Sequence, residues 1–128
     1  MYYLYPSGSY YEGESNNDIF NGKGKFYFNN GDTYDGDFED DMFNGIGKYV
    51  FKSGNKYDGS FLNDQFHGIG TFTFSDGTVE KGRFHQDKRV GKFIQFDHDK
   101  YYCIIYNNDK IIKLNYIDED KISDAQKP

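Results

Sequence analysis

The chain has no tryptophan, one cysteine, two methionines and two prolines in 128 residues. A single Cys103 excludes an internal disulfide framework and a thiolate zinc site. In a strand-like setting before Ile104 and Ile105 it reads as a small buried thiol rather than a nucleophile. No run of apolar residues approaches the length of a membrane span, and "MYYLYPSGSYY" lacks the basic start and apolar core of a signal peptide. A soluble, intracellular and cytoplasmic protein is therefore expected. Positive charge is also in deficit: the formal net charge is −6, which disfavours nucleic acid and bulk anionic membrane as partners.

Aliphatic residues are scarce too, and the mean hydropathy of −0.91 would by itself suggest disorder. The aromatic content argues otherwise. Thirteen Tyr and thirteen Phe supply the apolar surface, beside fifteen Gly. Rings favour strands and glycine disfavours helix interiors, so the composition points to an all-β chain.

A period of 23 residues organises it. Gly13, Gly36, Gly59 and Gly82 are in phase, as are Gly22, Gly45, Gly68 and Gly91. Tyr11, Tyr34 and Tyr57 share the period with Phe20, Phe43 and Phe66. The units are 11–33, 34–56 and 57–79, preceded by a half unit in residues 1–10. A decayed fourth unit spans 80–102, with Glu80 in place of Tyr and Phe93 in place of Gly. Residues 1–102 are thus one repeat region, 103–117 read as C-terminal strands or a capping hairpin, and 118–128 as a disordered tail.

Within a unit the alternation has a strand's period of two. In "YDGDF" Tyr34, Gly36 and Phe38 share one face, and in "GKYVF" Gly47, Tyr49 and Phe51 do. Folding one segment on the other predicts Tyr34 opposite Phe51, Gly36 opposite Tyr49 and Phe38 opposite Gly47. The other face then opposes Asp37 to Lys48 and Glu14 to Lys25. In this register Tyr49 covers Gly36 and Gly59. The joins "FNNGDTY", "FKSGNKY" and "FSDGTVE" read as five-residue loops with a left-handed glycine. Phe20, Phe43 and Phe66 are expected on longer loops, tucked against a neighbouring unit. Eight to ten antiparallel strands in a continuous meander follow.

"YDGDFEDDMFNGIGKYVFKSGN" and "YDGSFLNDQFHGIGTFTFSDGT" resemble the MORN repeat: Tyr-x-Gly-x-Phe, a turn, then Gly-x-Gly-x-aromatic-x-Phe and a Gly turn. "YEGESNNDIFNGKGKFYFNNGD" departs at Ser15, and all three copies carry an Asp (Asp18, Asp41, Asp64) where the family prefers Gly. The resemblance implies a single-layer antiparallel sheet of stacked hairpins. It also implies roles in scaffolding, cytoskeletal or membrane-associated assembly, with occasional attachment to an enzyme domain such as a lipid kinase or methyltransferase.

Catalytic and metal readings are weak beside this. Asp35, Asp37, Glu39 and Asp41 alternate like the start of a calcium loop, but no Gly stands sixth and Ile46 occupies the twelfth place. "NGKGKF" lacks the Lys-Ser/Thr ending and the helix of a phosphate loop. His67, His85 and His98 are not spaced as metal pairs, and no nucleophile, base and orienter can be assembled. A non-enzyme without metal or cofactor is expected.

Two features exceed this plain reading. Phe26, Phe28, Tyr34, Phe38, Tyr49, Phe51, Tyr57, Phe61, Phe72 and Phe74 form aromatic rows on one face. A single layer has no second layer to cover them, so they bury one another or leave a groove for a partner. That partner is a peptide or amphipathic helix of another protein, a second copy, or residues 103–117. The second feature is charge: residues 1–79 carry a net −7 and residues 80–128 a net +1. Lys81, Arg83, Lys88, Arg89 and Lys92 cluster where the repeat decays. They read as a polar cap of the array or as a patch for an acidic partner or anionic phospholipid.

Overall fold

The computed structural model describes residues 1–128 as one antiparallel sheet of eleven strands in strict sequence order. The strands are β1 (Tyr2–Leu4), β2 (Tyr10–Asn16), β3 (Ile19–Tyr27), β4 (Thr33–Glu39), β5 (Met42–Val50), β6 (Lys56–Leu62), β7 (Gln65–Thr73), β8 (Val79–His85), β9 (Lys88–Phe96), β10 (Tyr101–Asn107) and β11 (Lys110–Ile117). The single-layer meander expected from the period is present, one strand longer than the upper expectation.

Residues 103–117 extend the sheet as β10 and β11 instead of folding over its aromatic face. Nor is there a break at 102, which lies inside β10. The tail, expected to be disordered, forms a 3-10 turn at Glu119–Lys121 and buries Ile122. The Nζ of Lys81 donates to the Ala125 carbonyl at 2.7 Å, so the tail returns across the sheet.

The hairpin register differs from the expected one. Tyr34 pairs with Tyr49, Asp35 with Lys48 and Gly36 with Gly47, after which a bulge intervenes and Phe38 pairs with Phe43. Two causes combine. Phe51 belongs to the Gly54 turn, where its N–H donates to the Asn55 carbonyl, and not to a strand. The hairpin closes on a tight Asp40-Asp41 turn with both φ positive (50° and 68°), a type I′ geometry matched to strand twist. Phe20, Phe43 and Phe66 therefore lie in β3, β5 and β7, not on long loops. The surplus residues of β5 bulge opposite Asp37, with Gly45 at φ 108°. Both slips are even-numbered, so every side chain keeps its predicted face.

The glycines of facing strands pair with one another, Gly36 with Gly47 and Gly47 with Gly59, and make a backbone track across the sheet. A Cβ on Gly47 would overlap the Tyr34 ring, and one on Gly70 the Tyr57 ring. Thus Tyr34 and Tyr57, not Tyr49, lie flat on the glycines. Each stacks on the Phe of its own hairpin, Tyr34 on Phe43 at 3.9 Å and Tyr57 on Phe66 at 4.0 Å between centroids. Phe61 of the next unit meets Tyr34 edge-on at 4.9 Å, and Phe84 meets Tyr57 at 5.0 Å. Such contacts contribute about 0.5–1.5 kcal/mol each beyond burial. They are the core, and they are why one layer suffices.

The opposite face carries alternating charge. Glu12 pairs with Lys25, Lys25 with Asp35, Asp35 with Lys48 and Lys48 with Asp58 along one row. The expected Asp37–Lys48 and Glu14–Lys25 oppositions are replaced by these. Asp37 instead forms an ion pair with Lys23, and its Oδ2 accepts the Ile46 N–H at 2.8 Å inside the bulge.

Candidate functional site: an aromatic face with an acidic rim

The ten rings proposed from sequence share one face, in two tiers. Tyr34, Phe38, Tyr57 and Phe61 are buried and form a floor. Tyr34 and Tyr57 stack on Phe43 and Phe66, Phe38 and Phe61 meet those same rings edge-on, and all four are left with no surface for a partner, which corrects their assignment as contact residues. Phe26, Phe28, Tyr49, Phe51, Phe72 and Phe74 are half-buried and reach solvent. Each unit presents a tilted couple of these rings: Phe26 with Phe28 at 4.7 Å, Tyr49 with Phe51 at 4.8 Å, Phe72 with Phe74 at 4.9 Å.

Two clefts open between the tiers. One of about 470 Å³ is lined by Tyr5, Phe20, Phe26, Phe28, Phe43 and Tyr49, with Asp41 and Asp64 at its border. The other, about 200 Å³, is lined by Phe66, Phe72, Phe74 and Phe84, with Asp87, Arg89 and Asp109. The carboxylates come from the tight turns. Oδ1 of Asp41, Asp64, Asp87 and Asp109 accepts the backbone N–H of Phe20, Phe43, Phe66 and Arg89 in the preceding unit at 2.7–2.8 Å. That cross-unit bond explains Asp in a left-handed turn where the repeat pattern prefers Gly. The repeat pattern shows the substitution but not its use; the recurrence of Asp beside the turn at Asp18, Asp41, Asp64 and Asp87 is its signal in the sequence.

Tyrosine chemistry in the floor is structural. The Tyr34 hydroxyl donates to the Asp37 carbonyl at 2.6 Å, and Tyr57 to that of Ser60 at 2.7 Å, each at a bulge. Burial pushes both hydroxyls well above the usual tyrosine range. Tyr49 is raised likewise by burial and by donating to Asp32 Oδ2 at 2.8 Å.

The decayed unit is a compensated rebuild. Phe93 lays its ring over Gly82, the place a Tyr ring fills elsewhere. Glu80 is fully buried at the Tyr position, Arg89 stands at the Phe43 position and Gln95 at that of Tyr49. Glu80 accepts from Arg89 at 2.7 Å, from Gln95 at 3.1 Å and from the Tyr106 hydroxyl at 2.9 Å. Burial opposes the Arg89 charge, and the bonds to Glu80 and Asp109 more than offset it, so it stays protonated. An aromatic triad has become a satisfied polar network that ends the ring rows.

The five basic residues do not form one patch. Arg89 is committed to the aromatic side in that network, and Lys88 sits beside the Gln86-Asp87 turn. Lys81, Arg83 and Lys92 line a cleft of about 710 Å³ with Ile69, Val90, Ile94 and the tail residues Ala125 and Gln126. Cys103 is partly buried. The structure brings His67 and His85 to 4.9 Å between ring centroids, but no third metal-binding side chain joins them. No helix is long and apolar enough to cross a membrane.

Comparison with family models matches the MORN repeat at residues 11–33, 34–56 and 57–79, over half the chain. The chain belongs to the MORN-repeat family. MORN repeats are known in protein-interaction and membrane-binding modules and are generally non-catalytic. The matched boundaries coincide with the three full periods, and the half unit and rebuilt unit flank the MORN array on either side. A comparison with curated proteins gives no match.

Proposed function

We propose that this protein is a non-catalytic, intracellular interaction or scaffolding module that holds a segment of another protein on its aromatic face. The observation that carries the reading is the pair of clefts lined by half-exposed rings and bordered by Asp41, Asp64, Asp87 and Asp109. Contiguous exposed aromatic surface is costly in water and marks association sites. The rim carboxylates favour a segment whose apolar residues are flanked by Lys or Arg. Its contacts are Phe26, Phe28, Tyr49, Phe51, Phe72 and Phe74, which leave the floor intact when a partner departs.

The test pairs substitutions on opposite faces, with folding checked by circular dichroism. Phe51→Ser with Phe74→Ser abolishes capture of the partner, whereas Asp35→Ser with Asp58→Ser leaves it largely intact. Hydrogen exchange on the captured complex then shows protection at the ring strands. Loss of capture by the acidic-face pair alone would refute the assignment. A second reading, contact with anionic phospholipid, is favoured only by Lys81, Arg83 and Lys92 around the opposite cleft. Flotation with anionic vesicles, abolished by neutralising those three residues, would replace the first reading.

A further inference from the structure

The charged face does not keep its pattern into the decayed unit. Lys81 stands where Glu12, Asp35 and Asp58 stand in the preceding units, and Arg83 where Glu14, Asp37 and Ser60 stand. Ile94 takes the place of Lys25, Lys48 and Thr71. Earlier in the row each of Lys25 and Lys48 lies between two acids. Here the cross-strand neighbours of Arg83 are Ile69 and Val90, those of Lys81 are Thr71 and Ile94, and Lys92 faces Ile105. Lys81, Arg83 and Lys92 take part in no ion pair.

The reversal removes a carboxylate that has a defined task. In the first two units the acid at this position folds back onto the bulge of the facing strand. Glu14 Oε2 accepts the Lys23 N–H at 2.7 Å, and Asp37 Oδ2 accepts the Ile46 N–H at 2.8 Å. A Cβ on Gly22 would strike the Glu14 carboxylate, one on Gly45 that of Asp37, and one on Gly68 the Ser60 side chain. The bulge of β9 has the same left-handed glycine, Gly91 at φ 75°, yet a Cβ there would meet nothing within 4 Å. Arg83 carries only donors and cannot accept the Lys92 N–H. β9 keeps the seat of a carboxylate and rings it with cations.

We propose that this bulge docks an acidic segment of another protein, whose Asp or Glu side chain takes the position over β9 that Glu14 and Asp37 take over β3 and β5. The carboxylate accepts the Lys92 N–H and is neutralised by Lys81, Arg83 and Lys92, a charge-assisted arrangement stronger than a neutral hydrogen bond. Ile69, 46% exposed, and the half-buried Val90 seat an aliphatic residue beside it. The surrounding cleft of about 710 Å³ falls in the range of ligand sites, about 300–1,000 Å³. The tail walls one side through Ala125 and Gln126, while its Glu119 and Asp124 pair with Lys127 and leave the three cations free. Those exposed tail carboxylates repel a flat anionic membrane but not a narrow segment entering the cleft. The site is independent of the aromatic face and selects the opposite charge, so one array joins two partners of unlike chemistry.

Amide and methyl NMR of the full chain, titrated with a short capped peptide of alternating Leu and Glu, reads the site directly. The Lys92 amide and the Ile69, Val90 and Ile94 methyls should shift and saturate together. The matching Leu and Gln peptide should bind at least about tenfold more weakly, the worth of one charge-assisted hydrogen bond. Arg83→Glu restores the acid of the first unit, so it should fold, move the Lys92 amide as binding does, and abolish peptide binding. Lys81→Gln with Lys92→Gln should weaken binding at least about tenfold, and it decides alone if Arg83→Glu fails to fold. Phe51→Ser with Phe74→Ser should leave the titration unchanged, which separates this site from the aromatic face. No saturation at millimolar peptide, equal binding of the Gln peptide, full binding by a folded Arg83→Glu, or loss of binding in the aromatic pair would each overturn the proposal. So would anionic vesicles that perturb the same resonances where the peptide does not.

Discussion

Tyr34→Phe isolates the least obvious part of each repeat, the hydroxyl that ties a ring to the bulge. The phenylalanine keeps the stack on Phe43, the cover over Gly47 and the edge contact with Phe61. It removes only the 2.6 Å bond to the Asp37 carbonyl. Tyr34 is wholly buried, so water cannot replace the lost donor without entering the floor. Leaving such an acceptor unsatisfied costs about 1–3 kcal/mol. Truncation to Ala adds the loss of ring burial and brings the cost to about 3–5 kcal/mol. Urea denaturation followed by circular dichroism should therefore order wild type, Tyr34→Phe and Tyr34→Ala at these spacings, with an unchanged m-value. Tyr57→Phe should cost the same, and the double Phe variant should be additive, since the hydroxyls share no acceptor. A cost below about 0.5 kcal/mol for both single Phe variants would show that the bulge carbonyl finds another donor, and the account of why the repeat uses Tyr would fail.

Other outcomes follow from the same geometry. Asp64→Ala should destabilise by about 1–3 kcal/mol in the same assay by orphaning the Phe43 N–H, while Asp64→Gly should cost about 1 kcal/mol less by relieving the φ of 71°. Glu80→Ala should cost about 3–5 kcal/mol, because Arg89 and Tyr106 lose their shared acceptor in a buried site. Tyr34, Tyr49, Tyr57 and Tyr106 have raised folded-state pKa values, so their contribution is complete below about pH 10 and lost as pH rises above it. Tyrosinate absorbance at about 295 nm should then appear together with unfolding, and separate early titration of these four would contradict their burial. The lowered carboxyl of Asp37, held by Lys23 and the Ile46 N–H, contributes above about pH 4 and is lost as pH falls through its folded value. Asp37→Asn should flatten the acid limb of thermal stability.

Faces were legible in the sequence and registers were not, for one reason. Alternation depends only on parity, and the period of 23 fixed which residues share a side. The offset between strands depends on turn chemistry, and Asp40-Asp41 carries no glycine to advertise a type I′ turn. The bulge opposite Asp37 shifted the pairing again, by two, leaving Tyr49 on the right face but away from the glycines assigned to it. The aromatic face was similarly half legible. Composition placed ten rings on it, but Tyr34 and Phe51 look alike in a pattern, and only packing separates a floor residue from a contact. The basic cluster misled because linear proximity in β8 and β9 puts Arg89 on one face and Lys81, Arg83 and Lys92 on the other.

The turn carboxylates have a counterpart on the other edge of the array. Oδ1 of Asp32 accepts the Lys52 N–H, and Oδ1 of Asn55 accepts the Ser75 N–H, in each case from the following unit. The two edges thus clasp in opposite senses, one backward and one forward along the chain. Melting an interior unit strands one amide in each neighbour, so a local opening raises the cost of remaining folded on both sides. Stacked modules joined only by apolar contact can fray one at a time; doubly clasped ones share their fate. The array should open as a single block, and amide exchange across β3 to β8 should proceed at one common rate rather than in steps from the ends.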